Sequence, residues 1–260
     1  MDIISENYKA PMITVIMPAY NAERFIEEAI RSVMGQTVAD WELLVIDDGS
    51  QDGTCAVGEQ LAAEDPRIRM LRNDANMGVA KTRNRGFDLC RSSYVALLDS
   101  DDVWHPEKLE RQLARLGESG ADLCYTSYGI IDAQSQKAKA DYVVPEQADF
   151  KRLLKENVIG CSTVMLKTEV VKKYHFETDL HHEDYALWVR LLHDGFRAAG
   201  CAAVLVQWRW VQNSRSFDKR KSACSRWVIY RDYMKLPLHQ SLWAFGNYAF
   251  ASVKKYFLSQ

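Results

Sequence analysis

The 260-residue sequence predicts an α/β fold with a mostly parallel central sheet flanked by helices. Three observations carry this. Short apolar runs alternate with stretches of helical periodicity through about residue 125. The run Leu43-Leu-Val-Ile46 is apolar throughout, as a strand covered on both faces must be. Several runs end in polar or acidic residues, which is where open α/β sheets bind ligands.

The elements follow in order. Residues 13–17 form a β-rich run that stops at Pro18, and residues 25–35 carry apolar positions at Phe25, Ile26, Ala29, Ile30 and Val33 before Gly35. After the strand at 43–46 come a helix at about 54–63, a strand at 68–71 and a helix at 79–90. A fourth strand is expected at 94–98, a helix with Pro near its start at 106–116, and a fifth strand at 123–125. Repeated βα units of this kind build a parallel sheet with helices on both faces. Residues 127–150 are mixed and polar. Beyond them the sequence predicts a strand at 162–166, a helix at about 182–193, a strand at 202–208 and a helix at about 238–258.

Composition excludes several classes. Hydrophobic residues make up 47% and charged residues 26%, ordinary for a folded domain and incompatible with global disorder. The net charge of −2 gives no general field for phosphate backbones, so nucleic acid is not an expected partner. Six widely spaced cysteines form no CxxC or Cys/His cluster, so they are expected to be free thiols in a reducing compartment rather than zinc ligands. The first ten residues lack an apolar signal core, and no apolar run reaches transmembrane length.

The first strand ends in Pro18-Ala-Tyr-Asn21, the second in Asp47-Asp-Gly-Ser50 and the fourth in Asp99-Ser-Asp-Asp102. Together they suit a ligand rich in hydrogen-bond donors and a cation. The dinucleotide GxGxxG and the phosphate-cradling GxxxxGK[ST] are both missing, and Val103 and Trp104 break any EF-hand pattern. Phosphate bound here would need a metal, and a hard dication with phosphate oxygens and water needs only one or two protein carboxylates. Taken singly, each tip has a structural alternative. Residues 47–50 also suit a turn with a helix cap, 99–102 a solvated loop, and Glu183-Asp184 first-turn acids on a helix dipole. His181-His182 suit a loop better than a metal.

Joint occurrence decides between these readings. Pro18-Ala-Tyr-Asn21, Gln36-Thr37, Val45-Ile-Asp-Asp-Gly-Ser50, Asn76-Met-Gly78 with Arg83-Asn84, Leu98-Asp-Ser-Asp-Asp102 and Glu183-Asp184 with Leu187-Trp188 occur in this order. Over residues 12–210 the chain resembles the family 2 inverting glycosyltransferases of GT-A fold that build bacterial cell-surface polysaccharides. The resemblance implies that Pro18, Ala19, Tyr20 and Asn21 line a nucleotide pocket, with Tyr20 stacked on the base. It implies that Asp48 accepts the uracil imide N–H, favouring a UDP-sugar donor. Asp99 and Ser100 would face the ribose and metal region, and Asp101 with Asp99 would hold Mn²⁺ or Mg²⁺. Lys81 or Arg83 would add positive charge near the phosphates, and Asp184 would be the catalytic base. The implied acceptor is a glycan or a lipid-linked saccharide, and the implied location is cytoplasmic, including the cytoplasmic membrane face.

Two departures qualify the resemblance. Where many relatives carry Tyr-Arg-x-His, this chain has Trp208-Arg-Trp-Val211, and Val211 can touch neither metal nor phosphate. The QxxRW of processive relatives is one residue short in Gln207-Trp-Arg-Trp210, so transfer of a single sugar is expected. The expected organisation is a catalytic domain over 1–212, with its nucleotide half at about 12–126 and its acceptor half at 127–212, and a helical extension over 213–260. In that extension Leu242, Trp243, Phe245, Ala249, Phe250, Val253, Tyr256 and Phe257 share one helical arc. Packing on the catalytic domain or on a second subunit is expected of it, and an interfacial membrane position is the other reading. Two rival functions fit the same residues less well. A sugar-1-phosphate nucleotidyltransferase would need an early glycine-rich loop that is missing, and an inactive carbohydrate-binding protein would not need the set Asp48, Asp101 and Asp184.

Overall fold

The computed structural model describes residues 10–210 and 219–258, with side-chain surroundings through residue 250. The chain runs β1 (Ile13–Ala19), α1 (Ile26–Met34), β2 (Trp41–Asp47), α2 (Thr54–Glu64), β3 (Ile68–Arg72), α3 (Val79–Leu89) and β4 (Tyr94–Leu97). It continues with β5 (Val103–Trp104), α4 (Lys108–Ser119), β6 (Leu123–Ile131), β7 (Lys137–Tyr142), β8 (Gln147–Ala148), α5 (Phe150–Lys155), β9 (Met165–Lys167) and α6 (Thr168–Lys173). Last come α7 (Glu183–His193), β10 (Ala198–Arg209), α8 (Lys219–Val228) and α9 (Leu238–Leu258).

The strands form one sheet in the order β3-β2-β1-β4-β9-β6-β10-β5, with β7 beside β6 and β8 beside β10. β1, β2, β3 and β4 are parallel, as are β6 and β10, and β9 enters antiparallel between β4 and β6. Both faces are covered. Val15, Met17, Leu43 and Val45 pack toward α1 and α4, while Ile16, Leu44, Ile46, Val95 and Leu97 pack toward Phe87 of α3 and Trp188 of α7. The strict alternation along β1 and β2 is the two-residue period of a strand buried on two sides.

The second half departs from the expected boundaries. The strand expected at 162–166 is a 3₁₀ turn over Cys161–Thr163 followed by β9, because Ser162 is taken up by hydrogen bonds to the β4 tip. The strand expected at 202–208 starts four residues earlier, and the 123–125 strand continues to Ile131 through what reads as a mixed segment. β6 and β10 pair along this whole length, which supplies the hydrogen bonds that composition alone does not reveal.

The helical tail shares the core of the preceding domain. Ile229, Tyr230, Met234, Leu236 and Ala244 are buried with Leu153, Tyr185 and Trp188. The apolar arc expected for α9 is split. Ser241 and Ala244 face inward at 0% exposure, whereas Leu242, Trp243 and Phe250 are 56%, 39% and 73% exposed. Small residues let the helix approach closely, so they take the inner face from the aromatics. Val253, Tyr256 and Phe257 of that arc lie outside the described side chains. Among the described residues no helix is long and apolar enough to cross a membrane. All six cysteines are free thiols.

One buried cation lies under the sheet edge. Lys108 is fully buried, with Nζ 3.8 Å from the Trp104 ring centroid and donating to Gln112 Oε1 at 2.6 Å. Gln112 Nε2 in turn donates to the carbonyls of Cys124 and Thr163. Burial pushes the lysine ammonium down to about 7. The unfolded chain then binds this proton more tightly than the folded one, so the group makes stability rise from about pH 7 toward its unfolded value near 10.4. Its slope approaches about 1.4 kcal/mol per pH unit. Urea unfolding of Lys108→Met against wild type between about pH 7 and 9 should show the slope in wild type and its loss in the variant.

Candidate active site

The carboxyl ends of β1, β2 and β4 open onto one cavity of about 930 Å³, within the range of small-molecule sites. Pro18, Ala19 and Tyr20 line it after β1, Asp48 after β2, and Asp99, Ser100 and Asp101 after β4. The opposite wall comes from Gly160 to Thr163, from His181 to Asp184 at the start of α7, and from Trp208 and Arg209 at the end of β10. Seven of the residues implied by resemblance for the donor therefore share one cavity with Asp184.

Two do not line it. Lys81 is exposed on α3 and outside the cavity wall. Asn21 turns away: its backbone N–H donates to Ser50 Oγ at 2.9 Å and its Oδ1 accepts from Gln51 N at 2.9 Å. At φ +48° it holds the β1–α1 turn against the β2 tip, a conformation that asparagine tolerates. Both corrections share one cause, since residue type and motif position do not fix which way a side chain points at a turn.

Asp48 is buried and organises the nucleotide side. Its Oδ1 accepts from Asn73 Nδ2 at 2.7 Å and Met77 N at 2.9 Å, and its Oδ2 accepts from Gly78 N at 2.8 Å. Of a carboxylate's roughly four acceptor positions, one on Oδ2 is left for a ligand donor. The loop this clamps needs its glycines. Gly78 sits at φ +88°, and a Cβ at Gly49, φ +77°, would lie 3.0 Å from Asn76 N. Tyr20, 49% exposed beside this loop, offers an open aromatic face.

The β4 tip is held from three directions. Asp99 N donates to Ser162 Oγ at 3.0 Å, and that hydroxyl donates to Asp102 Oδ2 at 2.5 Å. Arg209 N donates to Asp102 Oδ1 at 2.8 Å, and Arg209 Nε to the Asp101 carbonyl at 2.7 Å. Arg209 is 2% exposed and pairs with Glu28 Oε2 at 2.6 Å, so α1, β10 and the tip are tied together. Ser162 carried no signal as a single residue, and Arg209 appeared in the sequence only as part of Trp208-Arg-Trp-Val211. Only their adjacency in space reveals them.

Arg83 is buried and spends Nη2 on Asp99 at 2.5 Å and Nη1 on Glu183 at 2.9 Å. It lines the cavity as expected, but as a bridge from the β4 tip to α7. Next to Glu183 lies Asp184, half-buried on the wall. Burial, and then the Glu183 charge, push its carboxyl up to about 6. Asp101, likewise half-buried, is pushed up to about 6 by burial and the neighbouring Asp99. The wall between them is thus an acidic surface short of positive charge. Val211 lies outside the described residues.

The model of the glycosyl transferase family 2 domain matches residues 14–174. Over 246 residues the chain is 35% identical to the Escherichia coli UDP-Glc:alpha-D-GlcNAc-diphosphoundecaprenol beta-1,3-glucosyltransferase WfgD, spanning 94% of this chain and 95% of that one. S. aureus TarS 1–349 in complex with UDP-GlcNAc superposes with a TM-score of 0.74 at 18% identity, over 91% of this chain and 71% of that one. The mannosyltransferase PcManGT from Pyrobaculum calidifontis, in complex with GDP-Man and Mn²⁺, gives 0.70 at 18% identity, over 94% and 74%. These two are fold neighbours of GT-A type. The chain belongs to glycosyl transferase family 2.

Removing Arg83 leaves two carboxylates facing each other across the seam. Breaking a buried pair typically costs about 3–5 kcal/mol, and the partial exposure of Asp99 puts this case near the lower end. Urea denaturation should place Arg83→Met about 3 kcal/mol below wild type, with much of the loss recovered in the Arg83→Met/Glu183→Gln double variant.

Proposed function

We propose that this enzyme transfers a single sugar from a UDP-sugar to a saccharide carried on a lipid diphosphate, with inversion at the anomeric carbon. The observation that carries the reading is one cavity with Asp48 and Tyr20 at one end, Asp99 and Asp101 in the middle, and Asp184 on the opposite wall. The UDP preference rests on the single free acceptor position of Asp48, which suits an imide N–H. The acceptor class is supported by WfgD, whose name specifies a GlcNAc-diphosphoundecaprenol acceptor.

Asp101 and Asp99 would hold a divalent cation. The donor set fits Mn²⁺ or Mg²⁺. Asp101 is a desolvated carboxyl with a raised proton affinity, and Asp99 keeps its Oδ2 free of the Arg83 contact. Among the described residues no group of three ligating side chains occurs, which suits a metal completed by phosphate oxygens and water. Bound there, the cation would supply the positive charge that a departing diphosphate requires.

Asp184 accepts the proton of the acceptor hydroxyl as that oxygen bonds to the anomeric carbon and the bond to the diphosphate breaks. The electron pair leaves with the diphosphate, on the face away from Asp184. A positioned base contributes about 10²–10⁴-fold. Arg83 and Glu183 fix the start of α7, and so fix the base relative to the β4 tip.

Asp184→Asn should lower kcat by that factor while leaving UDP affinity within about twofold, read by UDP release and calorimetry. Loss of UDP affinity as well would refute the base assignment. Because the base acts only when ionised, wild-type kcat/KM should fall about tenfold per unit below about pH 6. A flat acid limb to pH 4.5 would count against it.

A further inference from the structure

Three arginines line the cavity, and their charges are treated differently. Arg83 is neutralised by Asp99 and Glu183, and Arg209 by Glu28. Arg226, on α8, is 8% exposed, with its guanidinium carbon 3.3 Å from the Tyr185 ring centroid and 5.2 Å from that of Tyr248. Among the described residues no carboxylate pairs with it, although five acidic residues line the same cavity. A buried charge without a counter-ion is costly, and aromatic faces compensate only part of it. A guanidinium left in this state on a cavity wall is matched to an anion that arrives with a ligand.

The position of Arg226 indicates which anion. Donor-side groups stand at the ends of β1, β2 and β4. Arg226 instead rests on Tyr185, the residue after Asp184, and on Tyr248 of α9. It is therefore on the side from which the base works, opposite the leaving group. We propose that Arg226 binds the diphosphate of the acceptor, so that the enzyme selects a glycosyl diphosphate over the same saccharide without phosphate. The inference rests on the glycosyltransferase reading and adds the residue that reads the acceptor's charge. Sequence alone does not mark this arginine, because its place depends on α8 resting on Tyr185 of α7.

The test compares two probes on the full chain by calorimetry, octyl N-acetylglucosaminyl diphosphate and octyl N-acetylglucosaminide, with UDP titrated separately. Wild type should bind the diphosphate probe more tightly than the glycoside. Arg226→Gln should weaken the diphosphate probe roughly ten- to a hundredfold, leaving glycoside and UDP affinities unchanged. Arg226→Lys, which keeps the charge but not the planar fork, should recover part of the loss. Unchanged UDP binding also shows that the variant is folded. Equal weakening of both probes, or no preference for the diphosphate in wild type, would overturn the proposal. A drop in UDP affinity matching the drop for the diphosphate probe would overturn it too, since the charge would then serve the donor. Because binding is the readout, these outcomes stand apart from failure of the transfer reading itself, which would appear as wild type releasing no UDP from UDP-sugars with Mn²⁺.

Discussion

Arg83 holds the site together. One guanidinium, almost wholly removed from water, joins the tip of β4 to the first turn of α7 through Asp99 and Glu183. Taking Arg83 and Glu183 out of water is expensive, and their attraction for each other and for the half-buried Asp99 only partly offsets the expense. The return is geometric. Two walls from distant parts of the sequence acquire a fixed spacing at the point where a reaction needs it.

Around that bridge the remaining contacts are arranged in a consistent direction. Asp48 spends three acceptor positions on the loop before α3, Ser162 and Arg209 lock the backbone of the β4 tip, and Glu28 neutralises Arg209. Each of these groups orients a neighbour and leaves the cavity-facing atoms of Asp101 and Asp184 for other partners. Both of those carboxyls sit in surroundings that resist ionisation, as pairs poised for a cation or a proton often do.

Much of this was legible before any coordinates. The buried strands announced themselves as apolar runs, the parallel sheet as alternation, and the site as acidic strand ends. Chain order was enough to bring Tyr20, Asp48 and Asp101 together, because the parallel strands β1, β2 and β4 end on one edge of the sheet. Side-chain direction was not legible. Asn21 and Lys81 share a motif or a turn with true wall residues and point elsewhere, and Ser162 and Arg209 matter only through partners distant in sequence. Which face of α9 turns inward was not legible for a related reason. A helical wheel weighs hydrophobicity, whereas close packing of α9 favoured the small Ser241 and Ala244 over Trp243 and Phe250.

The cavity has an unequal authorship. One wall is written by residues 18–101, nearly all of them within four consecutive βα units, and the other by residues 128–226, gathered from a strand, a turn, a helix start, a strand end and a tail helix. The first group can drift little, because each tip is tied to the next through a shared loop. The second is held to the first mainly by Arg83, Arg209 and Ser162. A lineage that keeps those three fastenings is free to rebuild the far wall piece by piece, and so to change what it accepts without relearning how to hold its donor.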